Sequence, residues 1–417
     1  MMRKWHGTVL IVIAMIALLA GQAGVSAAGP EPVTAMKFKD IEGHWAKAVI
    51  EEAAAKGIVA GFPDGTFGPN DSVTVAQFIV MMYTSMAEKD ESGNMYWAEK
   101  QLALVPDWFK TVVMDARVSF KPGKPWYASY VENAKIMGVI RNNEYAGRYN
   151  ELLTRERAAA MIYTLDSYFH GNVTDEYAEI AAAQLFKDMN RVEENYYLRS
   201  IGKVAARGIM NGNKGFFNPK AAITRAEAVQ ITSLLADSSK RNKVNINLNG
   251  VPYAVVNDPG FDTMVIIFAN QEMKKVYDSL LSSQSTYEGS TDAHLGVLGY
   301  YENDTQKEKE LYKEFYMDFS DSNNYGDMSI SFVSRNYNIA LETVAGRAER
   351  ASKPIYEFLS LVYKNPEPVK KLIDTAVASD RNGNSVNIEK TFEGRDILIV
   401  SNGRKYLQIS VGAYGDK

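Results

Sequence analysis

Apolar positions along the chain follow two different rhythms, and the change falls between the first and second halves. In the first half they recur every three or four residues, as at Trp45, Val49 and Ala53, which predicts amphipathic helices. In the second half, several short stretches alternate apolar with polar residues, as in 396–400 and 405–411, which predicts strands. The pattern predicts a mainly α first half, followed by an α+β domain whose sheet is largely antiparallel.

The second half divides into elements that its patterning and turn residues delimit. Asn402-Gly403 lies between two alternating stretches and predicts a hairpin turn. The expected helices are 264–281, 307–319, 340–362 and 368–377, and the expected strands are 244–248, 328–333, 385–392, 396–400 and 405–411.

One segment recurs three times in the first half, and its spacing is nearly constant. An aromatic residue precedes a glycine by 12 positions in every copy: Trp45 and Gly57, Trp126 and Gly138, Tyr196 and Gly208. The same aromatic residues precede Thr74, Thr154 and Thr224 by 29, 28 and 28 positions. We define repeat 1 as 36–88, repeat 2 with its insertion as 89–170, and repeat 3 as 180–237. A polar linker (238–243) and an α+β domain (244–417) follow.

Each repeat predicts a helix, a loop and a second helix. The three glycines fall where a helix ends in a left-handed residue, and the three threonines fall at the N-cap of the second helix. Gln77 and Glu227 stand three residues after Thr74 and Thr224, which predicts a capping box in repeats 1 and 3.

The repeats resemble three consecutive S-layer homology domains. Repeat 1 contains Phe38-Lys39-Asp40, the Trp after His44, a Gly-Ile-Val-Ala-Gly turn ending at Gly61 and a Phe-Gly-Pro loop at 67–69. Repeat 3 contains Phe-Lys-Asp at 186–188, Phe-Asn-Pro at 217–219 and Thr-Arg-Ala-Glu at 224–227, whereas repeat 2 lacks a clear Phe-x-Asp and the Phe-x-Pro. The resemblance implies a pseudo-threefold bundle of three repeats. It also implies non-covalent attachment to the pyruvylated secondary cell wall polysaccharide of a Gram-positive cell wall.

Arg155 and Arg225 are candidate polysaccharide-binding residues because each follows an N-cap threonine. Free backbone N–H groups at a helix start, the helix dipole and a guanidinium together favour an anion. The carboxylate of a pyruvate ketal suits a bidentate arginine. Repeat 1 carries Val75 at this position, so we expect its site to be weak and no more than two sites to be strong.

The other polysaccharide-binding candidates carry structural alternatives. Aromatic rings could stack on sugar rings or pack in the core of each repeat, and carboxylates could accept sugar hydroxyls or cap the first helix. Glycines of the first turn are included because the resemblance implies them. These candidates are Trp45, Trp126, Tyr196, Asp40, Asp188, Gly61 and Gly212.

The N-terminus predicts a secretory signal peptide over residues 1–27. Arg3 and Lys4 precede an apolar run of 13 residues, and a stretch of small residues offers a cleavage position after Ala27 or Ala28. We therefore expect an exported protein on the cell wall or surface layer of a Gram-positive bacterium, without a membrane span in the mature chain.

Composition removes several function classes. The chain has 46 basic and 50 acidic side chains, with four His and no Cys. It contains no basic cluster with interleaved aromatic residues, so nucleic acid is not an expected partner. We expect no cofactor, no metal and no catalytic residue. Ser290, Asp292 and His294 are expected in a solvated loop, and the run 380–384 at a turn, since it lacks the later ligands of a calcium loop.

The sequence therefore predicts a non-enzymatic protein that binds wall polysaccharide and displays a C-terminal domain of unknown role. The alternative is a wall-anchored enzyme, such as a glycan or peptidoglycan hydrolase, with its activity in 241–417. Self-association in a surface layer also remains open.

Overall fold

A computed structural model describes residues 37–89, 95–107, 110, 113, 125–141, 143–258, 260–261, 263–316, 326–403 and 405–413. The signal peptide expected over 1–27 lies outside these residues. The chain forms two compact units. The first contains the described parts of Met1–Leu104, Val112–Phe169 and Ala178–Asn245, and the second those of Val105–Thr111, His170–Tyr177 and Ile246–Lys417.

The first half of the chain is mainly helical, as its patterning predicts. Its helices are α1 (Lys47–Ala55), α2 (Val75–Met86), α3 (Glu99–Leu102), α4 (Ala128–Ile136), α5 (Arg155–His170), α6 (Asp175–Leu185), α7 (Asn195–Ala206) and α8 (Arg225–Ala236). A short hairpin of β1 (Ala87–Lys89) and β2 (Met95–Trp97) follows α2. The apolar faces of α2 and α8 are buried against each other and form the centre of this unit.

The predicted helix boundaries in the repeats are largely confirmed. Gly57, Gly138 and Gly208 follow the first helices with φ between +65° and +69°, a conformation that is unstrained only without a Cβ. Thr74 and Thr224 each form a capping box with the residue three positions later. Thr154 immediately precedes α5, but its buried Oγ1 has no hydrogen-bond partner among the described residues, so the expected side-chain cap is wrong in repeat 2.

A closed ring of backbone hydrogen bonds joins the segments that precede α2, α5 and α8. The Val73 amide donates to Ile223, the Ile223 amide donates to Leu153, and the Leu153 amide donates back to Val73, at N···O distances of 2.9 to 3.0 Å. A second ring lies two residues further on. Its donors are the amides of Val75, Arg155 and Arg225, and its acceptors are the carbonyls of Glu151, Ala221 and Asp71 respectively.

The second unit contains an antiparallel sheet with helices packed against it. The strands are β3 (Tyr253–Asn257), β4 (Thr263–Ile267), β5 (Ser290–His294), β6 (Val297–Tyr301), β7 (Met328–Ser331), β8 (Asn336–Glu342), β9 (Val386–Phe392), β10 (Arg395–Ser401) and β11 (Tyr406–Gly412). Seven of them form one sheet in the order β5-β6-β7-β8-β11-β10-β9, and β3 pairs with β4. The helices are α9 (Gln271–Ser283), α10 (Asp304–Tyr316), α11 (Arg347–Val362) and α12 (Glu367–Arg381).

Three predicted elements of this unit are wrong. The helix expected over 264–281 is strand β4 followed by α9, and Asn270 caps α9 by accepting from the Met273 amide at 2.8 Å. The helix expected over 340–362 is the end of β8 followed by α11, because Gly346 at φ +87° interrupts the chain between them. The strand expected over 244–248 is neither helix nor strand.

The predicted linker at 238–243 is packed onto the first unit. Ser238–Lys240 form a turn of 3-10 helix, and the Lys240 Nζ donates to Glu52 at 2.7 Å. The half-buried Arg241 donates to Asp166 at 2.8 Å. The division of the chain falls after Asn245, a few residues later than the expected linker. No helix among the described residues is long and apolar enough to cross a membrane.

Candidate functional site

Arg155 of repeat 2 reaches into repeat 3, and all three of its guanidinium nitrogens have partners there. Nε donates to the Phe217 carbonyl at 2.8 Å, Nη2 to the Asn211 carbonyl at 2.9 Å, and Nη1 to the Glu227 carboxylate at 2.8 Å. The guanidinium carbon also lies 4.8 Å from the centre of the Phe217 ring. Arg155 is only 8% exposed. We call Arg155 with these three residues the Arg155 site.

Arg225 of repeat 3 makes the corresponding contacts to repeat 1. Nε donates to the Phe67 carbonyl at 2.9 Å and Nη2 to the Ala60 carbonyl at 3.0 Å. The guanidinium carbon lies 4.5 Å from the centre of the Phe67 ring and 5.2 Å from that of Phe62, whose side chain is 46% exposed. We call Arg225 with Ala60, Phe62 and Phe67 the Arg225 site.

The helix starts do not offer free N–H groups to an anion, so that part of the expectation is wrong. The Arg155 and Glu156 amides donate to the Ala221 and Pro219 carbonyls of repeat 3. In the same way, the first two amides of α8 donate to Asp71 and Pro69 of repeat 1. Packing of one repeat on the next consumes these donors, which leaves the guanidinium as the group that an anion could contact.

Asp40 and Asp188 hold the loop beneath each arginine and cap no helix. The two carboxylate oxygens of Asp188 accept from the Phe217 and Asn218 amides, at 2.9 and 2.8 Å. Asp40 accepts in the same way from Phe67 and Gly68, both at 2.7 Å. The N-caps of α1 and α7 are Ala46 and Glu194, so the capping alternative is wrong.

Gly61 and Gly212 allow the turn to pack closely against the first phenylalanine of each repeat. A Cβ on Gly61 would overlap the Phe38 ring, and it would lie 2.6 Å from the Thr66 carbonyl. A Cβ on Gly212 would lie 2.6 Å from the Phe216 carbonyl and 2.8 Å from Phe186. These glycines shape the loop that carries the arginine's acceptor carbonyls.

The three aligned aromatic residues lie on the surface, so the packing alternative is wrong for them. Trp45 is 63% exposed, Trp126 is 49% exposed and Tyr196 is 39% exposed. Tyr196 is partly covered by Arg141, whose guanidinium carbon lies 4.6 Å from its ring centre. Large apolar side chains exposed at one aligned position provide flat faces to which a ligand could bind.

The corresponding position between repeats 1 and 2 lacks both parts of the arginine site. Val75 occupies the position of Arg155 and Arg225. Phe67 and Phe217 each precede the N-cap threonine of their repeat by seven residues, and in repeat 2 that position is Gly147. The guanidinium and the ring beneath it are therefore absent together. Sequence reasoning identified the arginines but missed Phe62 and Glu227 as their neighbours, because only packing between repeats joins them.

Two of the three repeats match a known protein family. A family model described as S-layer homology domain matches residues 37–79 and 185–229, which lie in repeats 1 and 3. The chain carries S-layer homology domains.

Known proteins similar to this chain include surface proteins and an enzyme. The chain is 32% identical over 204 residues to an amylopullulanase of Thermoanaerobacterium thermosulfurigenes, which covers 48% of the chain and 10% of the relative. It is 37% identical over 76 residues to a cellulosome-anchoring protein of Acetivibrio thermocellus, 16% of the chain and 17% of the relative. It is 26% identical over 229 residues to S-layer protein EA1 of Bacillus anthracis, 54% of the chain and 22% of the relative. The chain thus spans less than a quarter of each of these relatives.

The predicted location is confirmed by the S-layer homology match and the S-layer proteins among the relatives. The protein is secreted and resides at the cell surface.

The second unit places one predicted group of residues differently from expectation. Ser290, Asp292 and His294 lie in strand β5 and not in a solvated loop, and His294 is buried beside the Asp292 carboxylate. Asp292 and His294 line a cavity of about 370 Å³ together with Asp258 and Phe261. The turn expected at 380–384 is confirmed between α12 and β9. Within the described residues, no group of three or more His, Asp or Glu could hold a metal ion.

Proposed function

We propose that this protein attaches non-covalently to wall polysaccharide through its S-layer homology repeats. The observation that carries the proposal is the Arg225 site, where a guanidinium held by two carbonyls lies beside an exposed aromatic ring. A cation next to an apolar face suits a sugar that bears an anionic group. The cellulosome-anchoring and S-layer proteins among the relatives support attachment to the wall.

The repeats are proposed to form a pseudo-threefold bundle. The closed rings of hydrogen bonds through Val73, Leu153 and Ile223 support this arrangement, because each repeat donates to one neighbour and accepts from the other. Such a bundle creates three equivalent junctions. Two of them contain an arginine, and the third contains Val75.

The proposed ligand is the pyruvylated secondary polysaccharide of a Gram-positive wall. The ketal carboxylate would bind an arginine at a repeat junction, and neighbouring sugar rings would stack on the exposed Trp45, Trp126 and Tyr196. Asp40, Asp188, Gly61 and Gly212 would act by shaping the loops under the arginines. The C-terminal unit would be displayed at the surface, in a role that the fold does not define.

Release from isolated cell envelopes tests the attachment. Mild chaotrope should release the intact protein, because the proposed contacts are non-covalent, and chemical removal of the ketal from the wall should prevent rebinding. As a control, the same walls with intact ketal should rebind the released protein. Retention after boiling in detergent, with release only by a wall hydrolase, would contradict the proposal.

A second candidate is a hydrolase acting on wall glycans, favoured by the amylopullulanase among the relatives. In the second unit, Asp327 and Asp380 are fully buried and Glu342 is only 4% exposed, so these carboxylates are not displayed to a substrate. Incubation of the purified protein with wall glycans, followed by reducing-end analysis, tests this candidate. Release of new reducing ends that the variant Asp292→Asn does not produce would favour it.

A further inference from the structure

The two arginine sites differ in whether the guanidinium is already neutralised. In the Arg155 site, Glu227 forms an ion pair with Nη1 at 2.8 Å, so every nitrogen of the guanidinium has a partner. In the Arg225 site, Nε and Nη2 donate to carbonyls, and Nη1 has no hydrogen-bond partner among the residues that the structure describes. Arg225 also forms no ion pair there, whereas Arg155 does.

The difference follows from one aligned position, the third residue of the second helix. Repeat 3 carries Glu227 there, which faces the arginine of repeat 2. Repeat 1 carries Gln77 at the aligned position, which would face the arginine of repeat 3. Both side chains accept a hydrogen bond from their own N-cap amide, at 2.8 Å for Gln77 and 3.0 Å for Glu227. The position therefore caps the helix in both repeats but adds a negative charge in only one.

We infer that Gln77 and Glu227 set the anion affinity of the two junctions, and that the protein has one principal anion site, at Arg225. This inference rests on the proposed function and narrows it from two strong sites to one. At the Arg155 site an incoming carboxylate must displace Glu227 and approach a second negative charge. At the Arg225 site it meets at least three unused N–H donors.

Other charges near Arg225 do not reverse this ranking. Asp40 and Asp71 both act on the guanidinium through space. Asp40 already accepts two backbone amides, and Asp71 is exposed, so water and salt screen its field. Asp188 acts on Arg155 as Asp40 acts on Arg225, but Asp188 is only 2% exposed, so water and salt screen its negative charge less.

The test is calorimetric titration of the mature chain with a hexosamine glycoside bearing a pyruvate ketal, with its uncharged methyl ester as the probe control. The parent should bind one equivalent of the acid, and the ester should bind at least about tenfold more weakly. Gln77→Glu gives repeat 1 the glutamate that repeat 3 carries at the aligned position. It should weaken binding at least about tenfold, because the new carboxylate would compete with the ligand for Arg225, while the capping box is kept. Glu227→Gln, the reciprocal variant, keeps its own cap and should retain the parent affinity at Arg225. It should also bind a second equivalent at Arg155, because it removes the carboxylate that pairs with that guanidinium.

Three results would overturn the inference. These are two equivalents of equal affinity in the parent, unchanged binding by Gln77→Glu, or loss of binding in Glu227→Gln. A parent that binds whole wall polysaccharide but not the glycoside would overturn the inference and leave the proposed attachment standing. A parent that binds neither would contradict both. Circular dichroism of each variant separates lost binding from lost folding.

Discussion

At the scale of single residues, the same contact has different energetic weight in different repeats. Asp40 and Asp188 each accept hydrogen bonds from two loop amides at aligned positions of their own repeat. Asp40 is exposed, whereas Asp188 is only 2% exposed. Water can replace Asp40, whereas loss of Asp188 would leave the buried Phe217 amide without an acceptor.

We therefore expect Asp188→Ala to lower the free energy of unfolding of the first unit by about 2 to 4 kcal/mol. Asp40→Ala should cost clearly less, because its amides can bond to water. Chemical denaturation of the parent and both variants measures the difference. Equal losses in the two variants would show that burial does not control this contact.

One carboxyl group of the second unit links stability to pH. Burial raises the pKa of Glu342 to about 7, although Arg347 opposes this rise. The folded chain then holds this proton more tightly than the unfolded chain does. The contribution is therefore fully present below the ordinary glutamate pKa and is lost as pH rises towards 7.

Replacement of Glu342 by Gln should remove this part of the pH dependence, because the amide does not titrate. The stability of the parent relative to the variant should fall between pH 5 and pH 7 by up to about 1.4 kcal/mol per pH unit, and then level off. Thermal unfolding at a series of pH values measures the slope. A constant difference between parent and variant would contradict the raised pKa.

At the scale of elements, the three helices that follow the aligned threonines are capped in two different ways. The Thr74 and Thr224 hydroxyls each accept a hydrogen bond from the backbone amide of the third helical residue, at 3.3 and 3.2 Å. The Thr154 hydroxyl is buried and has no hydrogen bond within the part of the chain that the structure describes. Repeat 2 has Arg157 where the other repeats have Gln or Glu. Here the ring of hydrogen bonds between repeats fixes the start of α5 without a side-chain cap.

Valine substitutions should separate these two kinds of helix start. Thr74→Val should lower the free energy of unfolding by about 1 kcal/mol, because it removes a cap. Thr154→Val should be neutral or stabilising, because it removes a buried hydroxyl that has no partner among the residues described. Thermal unfolding of both variants decides between them, and a comparable loss in Thr154→Val would mean that its hydroxyl is hydrogen-bonded in solution.

At the scale of the whole molecule, the boundary between the units does not follow the order of the chain. The segment His170–Tyr177 lies in the second unit although it comes between repeats 2 and 3. Within that unit, the Asn172 amide donates to Asp258 at 3.0 Å, and the Thr174 hydroxyl donates to the Val265 carbonyl of β4 at 2.9 Å.

A fragment of residues 246–417 should therefore be less stable than the same unit in the full chain, because it lacks these two contacts. A fragment of residues 28–245 should keep folded repeats and bind wall material. Differential scanning calorimetry of the full chain and both fragments compares the transitions. A 246–417 fragment that unfolds at the same temperature as in the full chain would show that the inserted segment contributes nothing.

The sequence by itself determined the periodic parts of this protein. Helices with regular apolar spacing, left-handed glycines at helix ends and capping boxes depend on residues close in the chain, and Gly57, Gly138 and Thr224 behave as predicted. The alternating strands 385–392 and 405–411 are local patterns too, and they were predicted correctly.

Only the tertiary structure decided the remaining features, because they depend on residues that are distant in sequence. The apolar run before α9 suits a helix or a strand equally well, and pairing with β3 made it a strand. Arg155 and Arg225 look alike in sequence. Arg155 is paired by Glu227 of the next repeat, whereas repeat 1 has Gln77 at the aligned position. No pattern within one repeat could therefore predict which of the two guanidinium groups forms an ion pair.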